Sequence, residues 1–213
     1  MQKLSARRIV IYCIGIIILS CGITMNTKTN LGVSPVISVP YNITRVLGLP
    51  LGVPLFLYYA FLIFLQYVLL PKEFSLTKFL QIICAFLTSA CVQIFDIILP
   101  SPDAWILRIP MLAAAILLTG LGMCITVGMN IVPNPADGLA DAIGRKIGRD
   151  MGLGKNILDA VSIVIAVIIG LVFRRSLLGI GIGTVVAVIF TGRTVALFRK
   201  PTAKLAAFAG AEK

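Results

Sequence analysis

Residues 22–52 read GITMNTKTNLGVSPVISVPYNITRVLGLPLG, and residues 122–152 read GMCITVGMNIVPNPADGLADAIGRKIGRDMG. Overlaid without a gap, Gly22, Asn30, Pro35, Ile43, Arg45, Gly48 and Gly52 fall on Gly122, Asn130, Pro135, Ile143, Arg145, Gly148 and Gly152, with Ser34 opposite the similar Asn134. Chance would give about two such matches at ordinary residue frequencies. An internal duplication offset by 100 residues is therefore the expected plan of the chain.

Around these stretches lie six apolar segments, roughly 9–25, 52–70, 79–99, 105–128, 156–173 and 177–198. The chain is 59% apolar and 13% charged, against about 25% charged in a soluble domain. Crossing a bilayer takes about 20 apolar residues per helix. The segments are too long and continuous for barrel strands, and backbone polar groups in hydrocarbon must be paired internally, so helices are expected. The predicted fold is all-α, a polytopic membrane protein of about six transmembrane helices built as two inverted three-helix repeats. The first repeat is 1–100; the second is 101–213 and includes a cytoplasmic C-terminal tail. Three spans per repeat is an odd number, so the second copy enters the membrane from the opposite side. Residues 1–8 have the basic start of a signal peptide without a convincing cleavage site, and read as the start of an uncleaved first span.

With the amino terminus inside, 14 of the 19 Lys and Arg residues fall on the cytoplasmic side, so both termini are expected in the cytoplasm of a bacterial plasma (inner) membrane. The pair Arg174-Arg175 dissents. The net charge of +11 is spread over loops and ends, which suits topology and not nucleic acid. Five cysteines sit in apolar runs, with no C-x-x-C and no histidine, so no metal site and no cofactor is expected, and no catalytic constellation is present. An enzyme is not the reading. The run Gly179-Ile180-Gly181-Ile182-Gly183-Thr184 resembles a nucleotide loop only superficially; small residues there serve close packing.

Chemistry is sought where the repeat is strongest. Each copy has a long connection after its first span that begins Asn30-Leu31-Gly32-Val33-Ser34-Pro35 or Asn130-Ile131-Val132-Pro133-Asn134-Pro135. Ser or Asn followed by Pro is the expected start of a helix, with the polar residue at N-cap and Pro at N1. In the second copy, Leu139, Ala142, Ile143 and Ile147 fall on one helical face, and Asp137, Asp141 and Arg145 on the other. One reading is an amphipathic helix lying in the membrane interface with its charges in water. The other brings both short helices toward the membrane centre from opposite faces, so that their starts converge on a ligand. Ionisable residues near span ends are costly enough to notice: Asp96 is read as reaching water, Asp159 as part of a cap begun at Asn156 or as a partner of Arg193. The candidate binding residues are Asn30, Ser34, Asn130, Asn134, Asp137, Asp159 and Arg193.

The segment Leu31-Gly32-Val33-Ser34-Pro35 after the first span, with Leu178-Gly179-Ile180-Gly181-Ile182-Gly183-Thr184 opening the last, resembles the YczE/YitT-type family of bacterial membrane proteins over nearly the whole chain. The resemblance implies a bacterial inner-membrane protein of this size and carries no activity with it. The repeat and the paired helix starts favour a small secondary transporter or exporter of a small polar solute. The alternatives are a membrane-embedded binding subunit with an energy-coupling partner, and an accessory or scaffold membrane protein. A homodimer through glycine faces is compatible with each.

Overall fold

The computed structural model describes residues 5–73 and 76–211; Lys3 and Lys213, both used in the charge count, lie outside them. Among the described residues eight α-helices follow one another: α1 (Ala6–Lys28), α2 (Pro35–Leu47), α3 (Gly52–Leu69), α4 (Leu80–Ile98), α5 (Trp105–Gly128), α6 (Pro135–Lys146), α7 (Met151–Arg174) and α8 (Ile182–Phe208). All but α2 and α6 are long and apolar enough to cross a membrane. The expected all-helical, six-span architecture is what the chain adopts.

Three boundaries differ from expectation by five residues or more: α8 starts at Ile182 and not at 177, so the glycine run precedes the helix, and the other two differ for local reasons. Helix α7 begins at Met151 because the Asp150 side chain accepts the Leu153 N–H at 2.9 Å, satisfying a donor that the first turn leaves unpaired. This places Asp159 two turns inside the helix and removes the expected cap from Asn156. At the other end, α8 continues through Pro201 to Phe208. Ala206, Ala209 and Ala211 are buried in one cluster with Tyr12 and Met129. Most of the expected tail is thus helix, docked on the bundle.

The outer faces explain where the apolar residues go. On α3, Leu57, Phe61, Phe64 and Val68 follow helical spacing and are each more than half exposed; on α7, Val164, Ile168 and Val172 do the same. Such stripes on successive long helices far exceed the apolar patch a soluble monomer tolerates, and lipid is the solvent that accepts them. The chain is a multi-pass membrane protein.

Inside, α1 and α5 form the central crossing and run antiparallel. A methyl group on Gly22 would lie 2.6 Å from the Thr119 backbone N, and one on Gly122 would lie 2.5 Å from the Leu19 backbone N. Leu19 and Thr119 are themselves 100 positions apart, so the crossing is made of reciprocal contacts. At its end, buried Arg8 on α1 donates to the carbonyls of Met129 at 2.7 Å and Asn130 at 3.1 Å, just beyond α5. Of the short helices, α2 packs on α7, and α6 packs on α7 and on α3. Matching turns frame both: Asn30 (φ 54°) and Asn130 (φ 47°) precede the short helices, and Gly48 and Gly148, both at φ 68°, follow them.

Candidate functional site

Both short helices start where the sequence places them, with Pro35 and Pro135 in the first turn after Ser34 and Asn134. Residues 35–40 and 135–140 are buried without interruption, while the far ends of both helices reach the surface. An interfacial helix with one wet face does not fit this pattern. Asp137, assigned to the polar face of α6, is 6% exposed; of that face only Asp141 and Arg145 lie outward, 3.9 Å apart.

The two starts are capped differently. The Asn134 side chain accepts the Ala136 N–H at 3.0 Å, a side-chain N-cap. Ser34 makes no such bond; its own N–H donates to the Asn26 Oδ1 at 3.1 Å. The first-turn donors of α2 are left without the partner that α6 supplies for itself.

Both starts line one cavity of about 280 Å³. Its polar residues include Ser34, Asn134, Asp137, Lys155, Asn156 and Asp159, and its apolar walls come from α1, α5 and α8 through Leu19, Ile23, Met123 and Val188. Tyr59 of α3 closes one side, its hydroxyl against the Asn134 side chain. Burial pushes the Asp137 carboxyl above the ordinary carboxylate range, and the charge of Lys155 opposes the rise. Asp159, one helical turn beyond Lys155 on α7, borders the same cavity. Such a set can hold a small molecule by charge at one end and apolar contact at the other.

Four of the seven candidate residues, Ser34, Asn134, Asp137 and Asp159, therefore meet in this cavity. Three do not. Asn30 and Asn130 hold left-handed backbone turns, a conformation that asparagine tolerates better than most residues; Asn30 borders separate recesses with Tyr41 and Arg45. Arg193 is exposed on α8 with its guanidinium 5.3 Å from the Phe190 ring centre, and among the described residues no ion pair joins it to Asp159. Lys155 and Tyr59 were not among the candidates. The spacing of Lys155 and Asp159, one helical turn apart, was a usable signal once α7 is known to start at Met151. Asp96, read as reaching water, is part-exposed and also pairs with Lys28 at 2.9 Å.

Two closures flank the cavity. At the end of the bundle reached by the carboxyl end of α1, the Val33 N–H donates to the Gly179 carbonyl at 2.8 Å and the Gly183 N–H to the Leu31 carbonyl at 2.7 Å. A methyl group on Gly32 would lie 2.6 Å from the Gly181 N. The glycine run is thus a backbone-to-backbone clasp. Near the start of α6, the Gln66 Nε2 donates to the Gln81 Oε1 at 2.9 Å and to the Pro135 carbonyl at 3.2 Å. The antiparallel course of α1 and α5 puts these closures at opposite ends.

Residues 6–200 match the model of a family of unknown function, DUF6198. The chain is 25% identical over 190 residues to the uncharacterized protein YyaS of Bacillus subtilis (strain 168), covering 88% of this chain and 90% of the relative. No solved structure matches it.

Proposed function

Since the chain belongs to the DUF6198 family, whose function is unknown, its activity must be read from its own geometry, and we propose that it is a small secondary transporter of a polar solute. The observation that carries this reading is the meeting of the two short-helix starts, from opposite ends of the bundle, at one cavity with a buried carboxylate. We read 1–100 and 101–213 as two inverted repeats that rock about the α1–α5 crossing, with α2 and α6 as re-entrant helices. Transporters built on inverted repeats place their site at the interface between repeats. The glycine clasp and the glutamine pair are the two gates, opening in turn.

The protein sits in this reading in a bacterial inner membrane with both termini cytoplasmic, in keeping with the YczE/YitT-type resemblance and the Bacillus relative. Arg174, half of the pair that dissents from the charge rule, donates to the Arg45 and Val46 carbonyls at 2.9 and 3.3 Å, at the negative end of the α2 dipole. Its charge thus has a structural use that does not depend on the membrane face.

The test starts from melting of the detergent-purified protein against a panel of metabolites and ions, because a ligand of the folded state raises the melting point. The compound found is then offered to proteoliposomes. Saturable uptake that weakens in Asn134→Ala supports transport. Binding without uptake points to a capture subunit with a separate energy-coupling partner, and no ligand for a folded sample points to an accessory protein.

A further inference from the structure

The difference between the two helix starts gives the cavity two poles. At the start of α2, Val36 and Ile37 are 6% and 4% exposed and border the cavity. Among the described residues no hydrogen-bond acceptor reaches their N–H groups. Unpaired first-turn donors point out of a helix start and favour an anion. Lys155, on the same cavity, makes no contact ion pair among the described residues and adds positive charge.

At the start of α6 the arrangement is reversed. Asn134 takes the Ala136 N–H with its side chain and the Gly138 N–H, at 2.8 Å, with its carbonyl. Asp137 is therefore not used as a cap. It is more than nine-tenths buried and borders the cavity, and among the described residues no hydrogen bond or ion pair reaches its carboxylate. A buried carboxylate without a donor is costly, and a chain keeps such a group where a ligand supplies the partner. Asp159 adds a second carboxylate on the same cavity.

We propose that this cavity is a two-pole site for a small zwitterion, an ammonium and a carboxylate on one apolar body, of which an α-amino acid with an apolar side chain is the simplest case. The ammonium goes to Asp137 with Asp159 behind it. The carboxylate goes to the open start of α2 and to Lys155. The apolar body lies against Leu19, Ile23, Met123 and Val188. The inference rests on the transport reading for the identity of the cavity as the substrate site, and adds the class of substrate.

The experiment compares one apolar body with two heads or one. L-alanine, L-leucine and L-phenylalanine are titrated into the full-length protein in detergent and followed by melting temperature, beside 3-methylbutylamine and 4-methylpentanoate, which are leucine without its carboxylate and without its ammonium. At least one amino acid is expected to give a saturable shift with an affinity tenfold or more above either half-ligand. Asp137→Asn removes the preference for the ammonium-bearing compounds and leaves the weak 4-methylpentanoate effect; Lys155→Met does the converse. A half-ligand that binds as well as leucine, or a panel with no amino-acid shift, overturns the proposal. The wild-type comparison decides even where a variant does not fold. Uptake of the bound amino acid into proteoliposomes separates the two readings: tight, two-headed binding without uptake keeps the zwitterion site and removes transport, whereas uptake of solutes regardless of head group keeps transport and removes the zwitterion.

Discussion

Between Asn30 and Tyr59 the chain makes a left-handed turn, starts a short helix on proline, ends it on a left-handed glycine and enters a span; between Asn130 and Asp159 it does all of this again. The side chains part company. Where the first copy has Ile37, Leu55 and Tyr59, the second has Asp137, Lys155 and Asp159. The difference separates two kinds of constraint. Positions that set the path of the backbone are alike in both, since asparagine and glycine tolerate a left-handed turn at less cost than most residues and proline suits the first helical turn. At the cavity the two segments differ in kind: Ile37 and Tyr59 border it from one, and the charged Asp137, Lys155 and Asp159 from the other.

The largest effect should come from the crossing of α1 and α5, where the two segments contact each other reciprocally. Gly122→Leu forces a side chain into the backbone of α1 at Leu19, and Gly22→Leu does the same to α5 at Thr119 and Ala115. Each should cost about 3 kcal/mol or more through overpacking, seen as lost monodisperse protein in size exclusion. Gly192→Ala, with open space around it, should be tolerated. If one crossing glycine accepts leucine and the other does not, the reciprocal crossing is the wrong description.

How far the sequence could be read follows the same division. Continuous apolar runs gave α3, α4 and α5 to within a residue, because lipid contact needs nothing else. Helix ends set by polar side chains were harder: α7 starts on Asp150 within a charged stretch, and α8 crosses Pro201 because packing against Tyr12 and Met129 outweighs a missing hydrogen bond. In the site, the helix starts were legible from Ser34-Pro35 and Asn134-Pro135. Asn30 and Asn130 misled because repetition marks a shared demand without saying whether backbone or side chain meets it. The Lys28–Asp96 pair depends on which helix ends are neighbours in space, which spacing along the chain does not reveal.

The next effect comes from a charge present at Asp137 and absent at the matching Ile37. With its native proton affinity raised by burial, Asp137 binds its proton more tightly folded than unfolded. Its contribution to stability is full below the unfolded carboxylate value of about 4 and is lost as pH rises through the raised native value. Asp137→Asn does not titrate. Without ligand the variant should be the more stable protein at neutral pH, by about 2 kcal/mol for relief of a buried, unpaired charge, and its lead over wild type should grow as pH rises from about 4. Melting curves of both proteins across pH test this; a lead independent of pH removes the carboxylate from the account. Ile37→Asp, which puts the same charge at the matching position of the first copy, should lower the melting temperature at neutral pH.

The smallest effect separates the two starts themselves. Asn134→Ala removes a bonded N-cap and should cost about 1 kcal/mol, whereas Ser34→Ala removes a side chain that caps nothing and should change ligand-free stability by only about a few tenths of that. Melting temperature at fixed pH without ligand is the measurement. Equal losses would mean that the Ser34 hydroxyl caps α2 after all; the donors of Val36 and Ile37 would then not both be free, and the positive pole of the cavity would rest on Lys155 alone. Unequal losses leave α2 as the start without a side-chain cap and α6 as the one its own Asn134 caps, the asymmetry that a two-headed ligand requires.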